Sequence, residues 1–409
     1  MQRTALVKKT ACSMHCRRAS PGQRSSSRLI AAIALAMTVG TQSSMAAAAQ
    51  DARPSELQQV LDRVVSKGER LGVLASVDAP RMHLHWTGAA GTLARDSSAP
   101  LHGNQPFRIA SVTKVFVAAA IFRLIEDGAL GLYDPIVSHV SAETASTLQS
   151  GGYDPKAITV AQLLGHTSGM ANFGPSDAYE RAVLEHQKEH KRWSRAEQIE
   201  FTIQHEKPVG RPGEKYAYSD TGYVILGEII ERASGKSLAA YVRESLKFGE
   251  LHLQSTYWET LEPAPRGLPV RAHQYWGSTD VTDFDPSLDL YGGGGLVSTT
   301  ADLNAFFRAL LNGRLFRLPS TLSMALLPVD AQQKLEHPRA LLLGARPFGR
   351  HVCWAHGGYW GTIAMYCPDI DATVSFTIDQ TLDESSADNR RQLLEGLAAV
   401  LDGPAEGTQ

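Results

Sequence analysis

The sequence lacks long apolar runs, internal repeats and an excess of positive charge. The apolar run from Leu29 to Gly40 has only 12 residues, which is too short to span a lipid bilayer comfortably. Residues 50–409 contain 33 basic and 42 acidic residues, a formal net charge of −9. Such a chain is not attracted to a phosphate backbone, so we expect no nucleic-acid partner.

Acidic residues are also absent from the first 49 positions, which hold seven of the 40 basic residues. The basic stretch there is followed by the apolar run and then by the small residues of Met45–Ala49. This order is typical of a secretory signal peptide, so we predict that residues 1–49 direct export to the periplasm. An uncleaved membrane anchor is the alternative, and it would be the one contact with a membrane. The pair Arg17–Arg18 invites a twin-arginine interpretation, but the residues that follow it are not apolar.

Cysteine is scarce, and two of the four residues, Cys12 and Cys16, belong to the predicted signal peptide. The exported chain would keep Cys353 and Cys367, which permits one disulfide bond. Both lie at the same distance along the chain from Trp360, in a stretch with the pattern of strand, glycine-rich turn and strand. In a hairpin centred there the two cysteines would face each other, and two free buried cysteines are the alternative.

Strand-like patterns occur near both ends of the exported chain, whereas helical patterns fill its middle. We therefore predict an α/β (α+β) fold in which a mainly antiparallel sheet, flanked by helices, carries an inserted all-helical domain. Within a domain spanning residues 50–403, the sheet lobe would comprise about residues 50–108 and 290–403, and the helical lobe about residues 109–289. The apolar content of 43% is ordinary for a globular protein.

The apolar periodicity also places individual elements. Helices are predicted from Leu57 to Gly68, Ser111 to Asp127, Gly222 to Ala233, Leu238 to Leu246 and Asp388 to Leu401. Residues 259–290 are rich in proline, aspartate and glycine, and are predicted to form an irregular loop.

Ser111 and Lys114 open the most apolar of these helices. Residues three apart share a helix face, so the Lys114 ammonium can reach the Ser111 hydroxyl. A serine nucleophile needs such a neighbouring base, and burial in an apolar interior would lower the pKa of Lys114 towards that role. The alternative is a surface helix cap beside a lysine that extends to solvent. The spacing alone is weak, because roughly one or two chance copies are expected in a chain of this length.

Two other features are interpreted as structural. His83 and His85 share one face of a strand, but no third metal ligand accompanies them. The run Gly292–Gly295 is not followed by Lys-Ser or Lys-Thr, so a close approach of two backbones is favoured over a phosphate loop. We expect neither a metal nor an organic cofactor.

Three separated motifs together resemble the signature of the serine β-lactamase and penicillin-binding protein superfamily. They are Ser111-Val-Thr-Lys114, Tyr218-Ser-Asp220 and His356-Gly-Gly358, in that order along the chain. The sequence is most similar to the class C branch, where the second motif is Tyr-x-Asn and the third can begin with histidine. The flanking residues match as well, so the resemblance covers most of the exported chain. It implies the β-lactamase/transpeptidase fold, with the active site between the sheet and the helical domain.

The resemblance also implies roles for the catalytic residues. Ser111 would be the acylated nucleophile and Lys114 its proton acceptor. Tyr218 would pass the proton to the leaving group, which requires a phenol that is partly ionised or strongly polarised.

Residues of the third motif would complete the site and bind substrate. His356 would orient the substrate or relay a proton. Gly358 would let its strand approach closely, so that the amides of Ser111 and Tyr359 form the oxyanion hole.

Two positions depart from the family pattern. Asp220, expected among the substrate-binding residues, stands where the family usually has asparagine, and a carboxylate there would raise the pKa of Lys114. Gly357 replaces a threonine or serine whose hydroxyl the family uses to bind a substrate carboxylate.

These features predict an exported serine hydrolase that acts through an acyl-enzyme. Its substrate would be a small peptide, ester or β-lactam, with a D-alanyl-D-alanine carboxypeptidase-like peptidase placed first. An esterase or a class C-like β-lactamase of the same fold is the alternative within this class. The contrasting hypothesis is a non-catalytic protein that binds cell-wall peptide, which the departures at Asp220 and Gly357 would favour. The sequence does not define the oligomeric state.

Overall fold

The computed structural model describes residues 51–66, 72–174, 176–329, 338–378 and 384–403. The predicted signal peptide, residues 1–49, lies outside these ranges. Within the described ranges no helix is both long enough and apolar enough to cross a membrane. The same part of the chain contains no group of three or more histidine, cysteine, aspartate or glutamate residues arranged to hold a metal ion.

Eleven α-helices occur within the described residues. They are α1 (Arg53–Val65), α2 (Thr113–Glu126), α3 (Ala142–Ser150), α4 (Val160–Leu164), α5 (Asp177–Lys188), α6 (Arg195–His205), α7 (Asp220–Ser234), α8 (Leu238–Ser245), α9 (Thr300–Leu311), α10 (Pro319–Ala325) and α11 (Glu384–Asp402).

Eleven strands accompany these helices in the described ranges. They are β1 (Val73–Ala79), β2 (Leu84–Ala90), β3 (Phe107–Arg108), β4 (Tyr257–Trp258), β5 (Tyr275–Trp276), β6 (Thr279–Asp280), β7 (Leu296–Ser298), β8 (Gly344–Phe348), β9 (His351–Gly357), β10 (Ile363–Cys367) and β11 (Ala372–Ile378).

The main sheet is built from the two ends of the described chain. Its six strands follow the order β2-β1-β11-β10-β9-β8, and every neighbouring pair is antiparallel. The predicted fold class, a mainly antiparallel sheet flanked by helices, is confirmed. Helices α2 to α8 lie between the two parts of the sheet in the sequence, as the predicted helical lobe requires, and the lobe boundaries stay a prediction. A smaller sheet of order β3-β7-β4 leads into the site.

Side-chain alternation explains why helices cover both faces of the main sheet. Val73, Ala75 and Val77 of β1 share one core cluster with apolar residues of α1 and α11. The intervening Ser76 points the other way, and its hydroxyl lies 2.7 Å from the Thr300 hydroxyl of α9. Since both faces of β1 are buried, the sheet forms a rigid support for the residues at its edge.

The hairpin of β9 and β10 contains the predicted disulfide bond. Trp354 pairs with Tyr366, and the same register sets Cys353 opposite Cys367. The two sulfur atoms are bonded, and their Cα atoms are 4.2 Å apart. The prediction made from the equal distances to Trp360 is therefore confirmed, and the bond joins β9, whose end carries the third motif, to β10.

Element predictions near the site differ from the structure at two places. Helix α2 begins at Thr113, two residues later than predicted, because residues Ala110–Val112 form a separate 3-10 turn. The stretch 259–290 is not wholly irregular, since it contains the short hairpin of β5 and β6 and a 3-10 turn at Pro286–Asp289. Tyr275 and Trp276 form β5, a threonine and an aspartate form β6, and Gly277, with φ of 58°, lies in the turn between the two strands.

Candidate active site

The turn that presents Ser111 connects β3 to α2. Ala110 adopts the left-handed region, with φ of 44°, which is unfavourable for a residue with a Cβ atom. The Ile109 amide donates a 3.0 Å hydrogen bond to the Leu296 carbonyl oxygen of β7, which holds the chain just before the turn. Ser111 is consequently half-buried at a sharp bend, whereas residues Thr113–Leu124 of the helix behind it are buried.

The Lys114 ammonium lies against Ser111 and has three close partners. Its Nζ atom is 3.0 Å from Ser111 Oγ, 2.5 Å from the carbonyl oxygen of Gly293 and 2.5 Å from Asp220 Oδ1. Lys114 is 1% exposed, so little water reaches these contacts. The contact with Ser111 is the geometry that the Ser-x-x-Lys spacing predicts.

Two opposing effects act on the pKa of Lys114. Burial lowers it, as expected for an ammonium in an apolar interior. The charge of Asp220, with Tyr218 and Asp289, outweighs burial, so the pKa of Lys114 lies above its ordinary value. The prediction of a lowered lysine pKa is therefore wrong, because the predicted opposing effect of Asp220 prevails. Lys114 is charged in the resting site and has to lose a proton before it can act as a base.

Asp220 is fixed at the first position of α7. The Ser219 hydroxyl caps this helix by accepting a 3.2 Å hydrogen bond from the Gly222 amide. The Asp220 amide donates to the side-chain carbonyl oxygen of Asn172 at 2.9 Å. The carboxylate therefore reaches Lys114 from a rigid helix end, where the helix dipole also favours its negative charge.

Tyr218 lies beside both members of the first motif. The Lys114 Nζ atom is 5.1 Å from the centre of its ring, and interactions of its hydroxyl group with Lys114 and Ser111 act to lower its pKa. Burial raises the pKa of Tyr218 to about 12, although the Lys114 charge acts in the opposite direction. The phenol is therefore neutral at physiological pH, and the adjacent Lys114 charge polarises it.

His166 supports Tyr218 and was not predicted as a site residue. Its ring stacks on the Tyr218 ring at 4.4 Å, and its Nδ1 atom accepts a 3.2 Å hydrogen bond from the Ser219 amide. Burial, with a contribution from the Lys114 charge, lowers the pKa of His166 well below its ordinary value. The neutral imidazole of His166 thus holds the Tyr218 ring in position by stacking on it. In the sequence, residues 166–169 read His-Thr-Ser-Gly, a pattern typical of a turn, which predicts a bend but no contact.

His356 lies in β9, on the sheet side of the site. Its Nδ1 atom donates a 2.8 Å hydrogen bond to the Gly357 carbonyl oxygen. Burial lowers the pKa of His356 to about 3, and the Lys114 charge adds to this effect. The imidazole is neutral at physiological pH, so it can orient a substrate or relay a proton but does not offer a fixed positive charge.

Gly358 brings the end of β9 against the turn that carries Ser111. A Cβ atom added to Gly358 would lie 2.4 Å from the carbonyl oxygen of Ile109, so only glycine permits this approach. Within the described part of the chain, the amides of Ser111 and Tyr359 have no hydrogen-bond acceptor. Two free amides on facing segments are the donors that an oxyanion hole needs.

The glycine run before β7 forms the third side of the site. A Cβ atom on Gly292 would lie 2.3 Å from the Tyr223 carbonyl oxygen of α7, and one on Gly294 would lie 1.9 Å from Asp289 Oδ2. The predicted close backbone approach is confirmed. It aims the Gly293 carbonyl at Lys114 and brings in Asp289, a site residue that the sequence pattern did not reveal.

A comparison with protein families identifies this arrangement. The family model described as Beta-lactamase matches residues 57–398, a range that contains all three motifs. The chain belongs to the Beta-lactamase family. The predicted superfamily is thereby confirmed.

Two bacterial proteins are among the curated relatives of this member of the Beta-lactamase family. A penicillin-binding protein of Bacillus subtilis (strain 168) is 29% identical over 230 residues, which are 52% of this chain and 46% of the relative. Esterase EstB of Burkholderia gladioli is 29% identical over 224 residues, which are 54% of this chain and 55% of the relative. The chain thus spans about half the length of the curated relatives it matches.

Solved structures resemble this family member over most of its length. The D-stereospecific amidohydrolase of Streptomyces sp. has a TM-score of 0.68 at 25% identity and covers 82% of this chain and 97% of its own. The D-amino acid amidase of Ochrobactrum anthropi SV3, complexed with L-phenylalanine amide, has a TM-score of 0.70 at 24% identity. The match covers 86% of this chain and 97% of the amidase chain. The predicted fold is confirmed by these likenesses.

Replacing Asp220 by asparagine tests how this carboxylate affects Lys114. Asparagine keeps a hydrogen-bond acceptor but removes the charge that raises the pKa of Lys114. The lysine should then lose its proton at a lower pH. We expect Asp220→Asn to keep or increase the acylation rate at pH 7. In the pH profile of kcat/KM, the acidic limb should shift to lower pH by about one pH unit or more. A large loss of acylation with an unshifted limb would show that the carboxylate itself is required.

Replacing Gly358 by alanine tests the close approach of β9. The added Cβ atom would press on the backbone oxygen of Ile109 and move the Tyr359 amide away from Ser111. We expect kcat/KM to fall on the order of 10²-fold, the effect of losing one oxyanion-hole donor. Gly357→Ala is the matched control, because its Cβ atom would meet only the Thr362 carbonyl oxygen at 3.6 Å. Equal losses in both variants would contradict the assignment of this approach to Gly358.

Proposed function

We propose that the protein is an exported serine hydrolase that forms an acyl-enzyme at Ser111 with small ester or amide substrates. The observation that carries the proposal is that an alcohol, an amine and a phenol lie together, since Lys114 Nζ is 3.0 Å from Ser111 Oγ and 5.1 Å from the centre of the Tyr218 ring. The signal-like leader supports export. The names of the relatives, which include an esterase and amidases, support the substrate class.

Acylation follows from this geometry. Once Lys114 has lost one proton, its Nζ atom accepts the Ser111 hydroxyl proton while Oγ bonds to the substrate carbonyl carbon. The amides of Ser111 and Tyr359 stabilise the oxyanion that forms. When the intermediate collapses, the bond to the leaving alcohol or amine breaks. The proton then passes from Lys114 through the Tyr218 hydroxyl to the leaving group, so both residues return to their starting state.

Deacylation uses the same groups in the reverse direction. A water molecule in the place of the leaving group gives a proton to Tyr218 and Lys114 as its oxygen attacks the acyl carbon. Collapse of this second intermediate breaks the bond to Ser111 Oγ, which regains the proton from Lys114. The neutral phenol suits this exchange, because it can donate its own proton to one neighbour while it accepts a proton from another.

The third motif favours substrates without a carboxylate beside the scissile bond. Gly357 supplies no hydroxyl group at the position where the family binds such a carboxylate, and His356 is neutral. The Lys114 charge is already paired with Asp220. An ester or an amide with a neutral leaving group fits these features better than a D-alanyl-D-alanine terminus does.

One observation supports a D-alanyl-D-alanine carboxypeptidase as the second candidate. The Arg339 guanidinium group lies 4.7 Å from the centre of the Tyr216 ring, and Tyr216 contacts His166, which stacks on Tyr218. A cation on this side could pair with a terminal carboxylate.

A substrate panel tests the proposal. The wild type and Ser111→Ala are compared on a p-nitrophenyl ester, a D-amino acid amide, a peptide ending in D-alanyl-D-alanine and a penicillin. We expect ester and amide turnover that is lost in the variant, with kcat/KM for the peptide at least about tenfold lower. Peptide turnover that equals or exceeds ester turnover would support the second candidate. Binding of the peptide without turnover of any substrate would favour a non-catalytic binding protein.

A further inference from the structure

Asp289 is the last residue of the 3-10 turn that precedes the glycine run. It is half-buried, and its carboxylate folds back over the backbone of the run, since a Cβ atom on Gly294 would collide with Asp289 Oδ2. Gly293, next to it, directs its carbonyl oxygen at Lys114. The four consecutive glycines therefore leave room for one acidic side chain next to the active lysine.

Asp289 and Asp220 approach the same glycine. A Cβ atom on Gly293 would lie 3.3 Å from Asp289 Oδ1 and 3.5 Å from Asp220 Oδ1. Two carboxyl groups, one from the turn and one from α7, thus lie on one side of Gly293 and face a single ammonium. One positive charge does not neutralise two carboxylates in a site with little water, so this cluster favours keeping one additional proton.

Every element packed around Asp289 contributes a titratable or charged group. These groups are Lys114 from α2, Asp220 from α7, Arg108 from β3, Tyr179 from α5 and Glu259 beyond β4. Arg108 is occupied by Glu259 in a 2.7 Å ion pair, which Arg271 extends. The Tyr179 hydroxyl donates to the Leu288 carbonyl oxygen, which fixes the turn. Lys114 is therefore the partner with which Asp289 exchanges charge.

The direction in which the pKa of Asp289 is shifted agrees with this geometry. Burial raises the pKa of Asp289 to about 7; the charge of Lys114 opposes the rise, that of Asp220 adds to it, and that of Arg108 opposes it. Lys114 in turn has a raised pKa because of the acidic groups around it. The two groups are tightly coupled, so their proton loss belongs to the pair.

We propose that Asp289 is a positioning residue of the active site that shares with Lys114 the proton whose loss activates the enzyme. The inference rests on the proposed function, since it concerns the base that deprotonates Ser111. When one proton leaves the pair, it comes from the Asp289 carboxyl group in most molecules. In the rest it comes from Lys114, and only these molecules hold the neutral amine that acylation uses.

This sharing has a consequence for the pH profile. The form that has lost the Asp289 proton and the form that has lost the Lys114 proton carry the same net charge. The ratio of these two forms therefore does not change with pH. The active fraction therefore rises as the first proton leaves and then stays constant until the second leaves. For the wild type we expect kcat/KM to rise up to about pH 7 and then to level off up to about pH 9.

The test compares the pH profiles of the full-length wild type, Asp289→Asn and Asp283→Asn, with a p-nitrophenyl ester as the substrate. Ser111→Ala serves as the blank for spontaneous hydrolysis at each pH. Asp289→Asn cannot ionise, so its kcat/KM should keep rising above pH 7, by about tenfold between pH 7 and pH 8. Asp283 is an exposed carboxylate in the same stretch, and its asparagine variant should follow the wild type.

Three outcomes would overturn the inference. One is a wild-type profile that keeps rising by about tenfold per pH unit through pH 9. Another is a profile of Asp289→Asn that superimposes on that of the wild type. The third is a variant that only loses activity at every pH while its Tm is unchanged. If Asp289→Asn does not fold, the wild-type profile alone decides between the first outcome and the expected plateau. If Ser111→Ala retains turnover, the proposed function itself fails, which is a different result.

Discussion

Replacement of Ser111 by alanine is expected to abolish acyl transfer, with a loss in kcat of about 10⁴-fold or more. The hydroxyl group is the proposed nucleophile, and no other described hydroxyl is placed at this turn beside Lys114 and Tyr218 in the same way. The methyl group of alanine fits the half-buried turn, so the free energy of unfolding should change little. The measurement is kcat with the best substrate of the panel, together with Tm for both proteins.

A serine-to-alanine replacement on the surface serves as the matched control for losses caused by protein preparation or misfolding. Ser98 is exposed on the surface, so Ser98→Ala should keep the wild-type kcat and Tm. Activity of Ser111→Ala within about tenfold of the wild type would require another nucleophile and would remove Ser111 from its proposed role.

Replacement of Lys114 by methionine is expected to reduce both activity and stability. Methionine fills a similar volume but removes the proton acceptor of Ser111, so kcat/KM should fall by about 10²–10⁴-fold. It also leaves the Asp220 carboxylate without the ammonium that lies 2.5 Å away. Loss of one partner of a buried ion pair destabilises a protein by about 3–5 kcal/mol, which denaturant unfolding would measure.

The double variant Lys114→Met with Asp220→Asn separates the two effects. It removes the unpaired charge, so most of the lost stability should return. Activity should stay low, because the proton acceptor is still missing. If the double variant regained activity along with stability, the loss in Lys114→Met would be due to distortion of the site and Lys114 would not be the base.

Local sequence patterns predicted the parts of the fold that depend on neighbouring residues. The apolar periodicity located α2, and equal spacing from Trp360 predicted the pairing of Cys353 with Cys367, because a hairpin register is set by its own turn. The start of α2 was predicted two residues early. Ala110 precedes the helix in a left-handed conformation, which depends on contacts with β7 and the end of β9 that are distant in sequence.

The electrostatics of the site were less accessible from the sequence. Burial of Lys114 and the nearby carboxylate of Asp220 were both predicted, but their relative strength depends on a 2.5 Å contact that only the fold defines. His166 and Asp289 were missed for a related reason. A turn and an acidic loop residue carry no periodic signal, and their roles arise only when α7 and the glycine run place them against Tyr218 and Lys114.

The most direct measurement is the mass of the covalent adduct and its position in the chain. The purified protein is incubated with a fluorescent penicillin or an activated ester, digested, and its peptides are sequenced by mass spectrometry. We predict one added acyl group, located on Ser111 and absent from Ser111→Ala. An adduct on a different residue, or turnover of the ester with no acylated form even in rapidly quenched samples, would contradict an acyl-enzyme at Ser111.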